Sequence, residues 1–310
     1  MDITAMGEVL IDLTQTGVNE YRVPTFAANP GGAPANVAVA AARLGAETAF
    51  VGKVGSDGFG AYLTGVLKEN GVDVSGLRTG ESATTMAIVS VDETGERDFR
   101  FVRGADCELR EDEVDLELIR QSRFFHFGSV SLTAGPARET TLYAAAQARE
   151  MGVLVSYDPN YRQALWSSQE EAVAWMKKPL SLVDVLKISD EELPLVTGMA
   201  GLEEGTKALQ DLGITLVLVT LGGDGAYYRL AEHTGHVPGI KTAIADTNGA
   251  GDTFLGAVLS RLCLRGEKPL EGLTAAEVEE VLSFANRAAA KTCSRSGAIP
   301  AMPTLAELGN

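Results

Sequence analysis

The apolar positions of this chain change period again and again along its length. Residues 3–13 read as one strand with Gly7 inside it. Residues 35–44 are rich in small side chains and suit a helix, with Pro34 near the start and Gly45 at the end. Residues 48–54 form a short apolar strand, and 58–70 an amphipathic helix stopped by Gly71. Two further strands, 84–91 and 97–102, flank Asp92-Glu93-Thr94-Gly95, a hairpin signal. From there the rhythm is regular. Strands at 123–127, 153–157, 183–188 and 214–221 alternate with helices at 137–151, 170–178, 191–196 and 202–212. The run 214–221 is almost wholly apolar, as expected of a strand covered on both faces. Two longer helices, 250–264 and 275–293, close the pattern.

Alternation of this kind predicts an α/β domain with a mostly parallel sheet between two helical layers. The stretches 15–28 and 84–102 break it, because they read as strands with no crossover helix between them. They predict a small second sheet built from insertions at about 14–30 and 84–106, within one domain spanning 1–310. One face of such a sheet would be left bare, able to close over a ligand, to meet a second copy of the chain, or both. Ligands of open α/β sheets bind beyond the carboxyl ends of the strands, so the loops there are the ones to inspect.

Charge narrows the possible partners. The chain carries 26 Lys+Arg against 42 Asp+Glu, a formal net charge of −16. Nucleic acid is therefore not an expected partner. A phosphate ligand is still allowed, because backbone N–H groups and one or two local cations suffice to hold it. Three widely spaced cysteines, Cys107, Cys263 and Cys293, suit a reduced chain. No apolar run reaches the ~18 residues of a membrane span, and Met1-Asp2-Ile3-Thr4 does not begin like a signal peptide. The expected location is the cytoplasm.

Familiar nucleotide motifs fail. Gly45…Gly52-Lys53-Val54 has the wrong glycine spacing for a P-loop and lacks its hydroxyl residue. His126, His233 and His236 have no metal-ligand spacing. Two other segments carry chemistry. In Asp246-Thr247-Asn248-Gly249-Ala250-Gly251-Asp252-Thr253, two glycines flank Ala250 just before a long helix. The N–H groups of Gly249, Ala250, Gly251 and Asp252 would form an anion site at that helix start, with the Asp252 carboxylate placed to take a proton from a hydroxyl. The same residues also read as a capped helix after a flexible turn. In Gly31-Gly32-Ala33-Pro34-Ala35-Asn36, paired glycines let a ligand approach the backbone, and Asn36 offers both donors and an acceptor to hydroxyls. Alone, this too is a tight turn into a helix.

Together with Gly7-Glu8-Val9-Leu10-Ile11-Asp12, these segments resemble the ribokinase-like (PfkB) carbohydrate kinases in order and spacing, over nearly the whole chain. The resemblance implies a three-layer α/β/α core with a small β-sheet lid, and ATP with Mg²⁺ as cofactors. It implies Asp252 as catalytic base and Gly249, Ala250 and Gly251 as anion hole. It places Asp12, Gly31, Gly32 and Asn36 on the sugar. Ser189, Thr220, Gly222, Gly225 and Asn286 fall at nucleotide-lining positions, and Glu192 where the family orders magnesium indirectly, although Ser189 stands where asparagine is usual. Asp246, Asn248, Arg295 and Gly297 resemble a monovalent-cation site for K⁺, formed mostly by backbone carbonyls.

Two stretches bear on the sugar. Asp158-Pro159-Asn160-Tyr161-Arg162 follows a strand, and Arg103 closes the second hairpin. Both are similar to bacterial fructokinases, which assigns Asn160, Arg162 and Arg103 to the substrate. Ketodeoxygluconate kinases share both arginines but often carry a tyrosine two residues before the one at Arg103, where this chain has Phe101. The expectation is phosphorylation of fructose at its 6-hydroxyl. 2-Keto-3-deoxygluconate is the alternative substrate, and a non-catalytic sugar or nucleotide sensor the alternative class. A homodimer formed through the lid is the expected assembly.

Overall fold

The computed structural model describes residues 1–91 and 97–309. Its strands are β1 (Ile3–Met6), β2 (Leu10–Val18), β3 (Pro24–Gly31), β4 (Thr48–Gly55), β5 (Val72–Asp73), β6 (Leu77–Gly80) and β7 (Met86–Val91). They continue as β8 (Arg97–Val102), β9 (Phe124–Gly128), β10 (Leu154–Asp158), β11 (Val185–Ser189), β12 (Leu216–Thr220), β13 (Gly225–Leu230) and β14 (His233–Pro238). The helices are α1 (Ala33–Arg43), α2 (Gly58–Glu69), α3 (Leu116–Arg120), α4 (Ala137–Glu150) and α5 (Gln169–Lys177). They are followed by α6 (Glu192–Thr197), α7 (Leu202–Gln210), α8 (Ala250–Cys263), α9 (Ala275–Cys293) and α10 (Leu305–Leu308). The hairpin turn expected at 92–95 lies outside the described residues.

The large sheet runs β14-β13-β12-β11-β10-β9-β1-β4-β5, with β6 also on β4. It is parallel from β12 to β5 and ends in the antiparallel β13–β14 hairpin. That hairpin was not expected from the sequence. Its turn uses Ala231 at φ 48 in place of the glycine or asparagine that signals such a turn.

Burial on both faces explains the apolar strands. Phe125, Phe127, Leu186, Ile188, Val217 and Val219 pack on one side with residues of α4 to α7. Their neighbours Phe124, Val185, Leu216 and Leu218 pack on the other side with α1, α8 and α9. Polar residues on that second side, among them His126, Ser156 and Lys187, are themselves buried.

The run 3–13 is not one strand. It breaks at Gly7, where φ is 149 and a Cβ would come within 2.7 Å of the Pro34 ring. Residues before the break join the large sheet, and those after it form β2 of a separate four-stranded sheet, β3-β2-β7-β8. Buried polar contacts fasten this small sheet to the core. Glu8 Oε1 accepts from the Ala33 N–H (2.9 Å), the Thr84 hydroxyl accepts from the Gly55 N–H (3.0 Å), and Arg103 donates to the Thr133 hydroxyl (2.5 Å). The β2–β3 hairpin exposes apolar side chains, with Tyr21 at 78 % and Phe26 at 42 %.

Candidate active site

The start of α8 is shaped by Gly249, whose φ of 74 admits few residues other than glycine. The Thr253 N–H is turned back onto the Gly249 carbonyl (2.8 Å) and that of Ala250 onto Thr247 (3.3 Å). Among the described residues, the N–H groups of Gly251 and Asp252 have no backbone acceptor. Ala250 is therefore the weakest of the expected anion-hole donors, and the open end of the helix lies at Gly251–Asp252.

Asp252 sits in this first turn and is buried. Its Oδ2 accepts from Asn36 Nδ2 (2.8 Å) and its Oδ1 from Asn160 Nδ2 (3.4 Å). Burial raises its pKa, against the opposing pull of the Asn36 hydrogen bond, Lys187 and Arg162. A carboxylate so held keeps one face for a substrate proton while its orientation is set by two amides.

Asp12 faces the same space from β2. Burial lifts its pKa to about 6; Arg162 opposes this, and the nearby charges of Asp252 and Asp246 add to it. Gly31 lies against it so closely that a Cβ would overlap Asp12 Oδ2. Gly32, at φ 109, lies against the Glu8 carbonyl and opens α1. Asn36 has its amide nitrogen on Asp252, while its Oδ1 is buried without a partner. That orphan acceptor calls for a donor such as a sugar hydroxyl.

A cavity of about 1090 Å³ opens between the small sheet and the core. Asp12, Asn29, Ala87, Val89 and Phe101 line it from the small sheet, and Arg162, Asp246, Asn248 and Gly297 from the core loops. Among the described residues, Arg162 is the only cationic side chain in that lining. Asn160 takes a left-handed φ of 44, fixed by its N–H to Asp158 Oδ1 (3.1 Å). Arg103 stands elsewhere. Its guanidinium donates to Asp106, to the Thr133 hydroxyl (2.5 Å) and to the Val130 carbonyl (3.4 Å), a fastening role in place of the expected sugar contact.

The nucleotide-lining positions come together at the far end of the sheet. Ser189 and Thr220 are register partners on β11 and β12. Gly222 and Gly225 have φ of 57 and 98, and a Cβ on Gly225 would overlap the Val237 carbonyl. Asn286, from α9, donates Nδ2 to the Val237 and Pro238 carbonyls (both 3.1 Å), tying that helix to the glycine turn. Its amide nitrogen is thus spent on backbone carbonyls of β14.

Glu192 has both oxygens engaged by backbone donors, Tyr161 N–H at 2.5 Å and Ser189 N–H at 2.9 Å. It fastens the substrate loop to the end of β11, with the Ser189 hydroxyl accepting from its own N–H (3.2 Å). Asp246 joins its loop to the Gly297 N–H (3.0 Å) and to the Asn248 N–H (3.1 Å). The Arg295 side chain turns onto Glu307.

Two buried residues near the site were given no role from the sequence. Glu8 is buried with one oxygen unpartnered and a pKa raised by burial to about 7. Lys187 is buried and paired with Asp158 Oδ2 (2.9 Å). A charged residue inside an otherwise apolar strand was the one signal that could have found it.

Fructokinase-1 of Oryza sativa subsp. japonica is 42% identical over 99% of this chain and 96% of its own length. A Xylella fastidiosa fructokinase crystallised with bound ATP superposes with a TM-score of 0.92 at 34% identity, over 99% of this chain and 96% of that one. A double-mutant fructokinase from Vibrio cholerae O395, in its fructose-, ADP- and potassium-ion-bound form, gives 0.87 at 34% identity over the same shares. Residues 1–305 match the description "pfkB family carbohydrate kinase". The buried Asp252, the open start of α8 and the two-sheet cavity thus stand in a chain that belongs to the pfkB family of carbohydrate kinases.

Proposed function

We propose that this carbohydrate kinase is an ATP-dependent fructokinase that transfers the γ-phosphoryl group to the 6-hydroxyl of fructose. The observation that carries the reading is Asp252 itself: a buried carboxylate at an open helix start, held by two amides, beside a cavity whose lining includes one cation. Asp252 takes the hydroxyl proton as the oxygen attacks, and the Gly251–Asp252 N–H groups meet the charge gathering on the transferred group. Asp12 and the free Oδ1 of Asn36 accept from the neutral hydroxyls. Commitment of Arg103 to Asp106 leaves Arg162 as the cavity's cation, which favours a neutral sugar over a carboxylate such as ketodeoxygluconate. The full-length likeness to fructokinases supports the same choice.

Among the described residues no group of three or more His, Cys, Asp or Glu could hold a metal ion. That fits magnesium carried by the nucleotide phosphates and water, with Glu192 able to anchor one such water. The ion would neutralise phosphate charge when bound. The Asp246–Gly297 loop pair suits a K⁺ cage of carbonyls from Asp246, Asn248, Arg295 and Gly297. We read the small sheet as a lid that excludes water from the phosphoryl group. Its exposed Val18, Tyr21, Val23 and Phe26 make it the face through which two copies would pair. Three free cysteines suit a cytoplasmic enzyme.

The test is ADP release with ATP, magnesium and potassium across fructose, ribose, ketodeoxygluconate and nucleosides. Highest kcat/KM on fructose is expected. Preference for ketodeoxygluconate would overturn the substrate, and silence on every sugar would favour a sensor.

A further inference from the structure

Beneath the catalytic turn lies a charge that the reaction, as described so far, does not use. Lys187 projects from β11 into the buried space under α8. A Cβ on Gly251 would come within 3.0 Å of its Nζ, so the ammonium rests directly against the anion-binding turn. The ammonium donates to Asp158 Oδ2 (2.9 Å), Asp158 Oδ1 accepts from the Asn160 N–H (3.1 Å), and Asn160 Nδ2 reaches Asp252 Oδ1 (3.4 Å). One chain of contacts therefore runs from Lys187 through Asp158 and the left-handed Asn160 to the base.

We propose that Lys187 is a positioning residue for catalysis: its buried ammonium holds Asp252 in the carboxylate form and, through Asp158, holds Asn160 on it. The inference rests on the reading of Asp252 as the base. Burial works against a charged Asp252, and the groups near it do not cancel. Asp158 on β10, Glu192 on α6, and Asp12 and Asp246 from the cavity side are all acidic. Asn36 on α1 and Asn160 contribute amide dipoles only. His126 on β9, under Lys187, is kept neutral, its pKa lowered by burial to about 3. Arg162 is the other cation, and it is exposed and screened by water. Lys187 is the cation that shares the buried setting of the base. Burial disfavours its charge, but Asp158, Glu192 and Asp252 together carry its pKa above the ordinary lysine value. It is therefore charged across the working range.

Two substitutions give opposite signs, which a merely structural role would not. Lys187→Met removes the cation, so the acid limb of kcat at saturating fructose should move up by about one pH unit or more. Asp158→Asn removes the anion that partly neutralises Lys187, so the limb should move down. Should Lys187→Met fail to fold, Asp158→Asn decides alone, and a limb that stays or moves up overturns the proposal. A fold-independent check uses the Lys187→Met, Asp252→Asn double-mutant cycle on thermal unfolding. The Tm loss from Lys187→Met should be smaller when Asp252 is already Asn, and equal losses would also overturn it. That cycle needs no turnover. Coupling in a protein inactive on every sugar would therefore sink the kinase reading and keep the pairing.

Discussion

The two sheets supply one critical carboxylate each, in opposite settings. Asp252 stands over the large sheet, in a helix packed on both sides, with Asn36, Asn160 and Lys187 closing around it. Asp12 stands on the small sheet, whose outer hairpin leaves Tyr21 and Phe26 largely in water. The large sheet is complete in one chain, because helices cover both its faces. The small sheet is incomplete until something covers it. The lesson is a division of labour. On the proposed reading, the layer packed on both faces would carry the chemistry and the small sheet would meet the sugar.

That division is open to test. The largest effect should come from the core side. Asp252→Asn should fold and bind ATP yet lose roughly 10²–10⁴-fold in kcat, the contribution of a general base. Near-normal kcat would remove the base from this sheet. Asp12→Ala, on the small sheet, should act on sugar affinity instead, lowering kcat/KM for fructose by roughly 10–10²-fold with kcat less affected. Arg162→Ala, at the exposed rim, should cost less than Asp12→Ala, about ten-fold at most. A reversed order of these two would place the sugar against the core loops. Asp12 also predicts pH dependence. With its pKa raised to about 6, it loses its charge as pH falls through 6, so KM for fructose should rise there. Asp12→Asn should flatten that rise.

A smaller effect tests the joint between the sheets. Glu8 ionises near 4.5 in the unfolded chain but near 7 when folded. Folded stability therefore falls as pH rises from 4.5 to 7 on its account, and Glu8→Gln escapes that loss. At pH 8 the variant should exceed wild type by up to about 3 kcal/mol more than it does at pH 4.5, read from Tm against pH. No pH-dependent difference would mean that Glu8 is better solvated than its burial suggests. The smallest effect on turnover should follow Phe26→Asp with Tyr21→Asp. Sedimentation should show loss of a dimer while kcat stays within about two-fold, as surface changes usually allow. An unchanged sedimentation coefficient would separate the small sheet from assembly.

Much of this was legible from residue order. The strand and helix alternation gave the layered core, because period and length together distinguish buried strands from amphipathic helices. The base and the glycine turns were legible because their backbone demands restrict residue choice. Gly249 at φ 74 and Gly32 at φ 109 are positions other residues adopt poorly. Less legible were the break at Gly7 and the β13–β14 hairpin. The first is a steric decision made by Pro34, which packs there from 27 residues along the chain. The second turns on Ala231, a residue with no turn signature.

What the sequence determined by itself was the class of fold and the family's motifs, with Asp252 as the candidate base, since each depends on local period or on residues close in the chain. Tertiary structure alone decided who meets whom. It gave Arg103 to Asp106, turned the Asn286 amide onto β14, and closed both oxygens of Glu192 on backbone donors. It also set Lys187 under Gly251, 64 positions apart in the chain. Such pairings follow from which buried polar groups must satisfy one another once the sheets have packed. That requirement exists only in three dimensions, because water satisfies each group until the core excludes it.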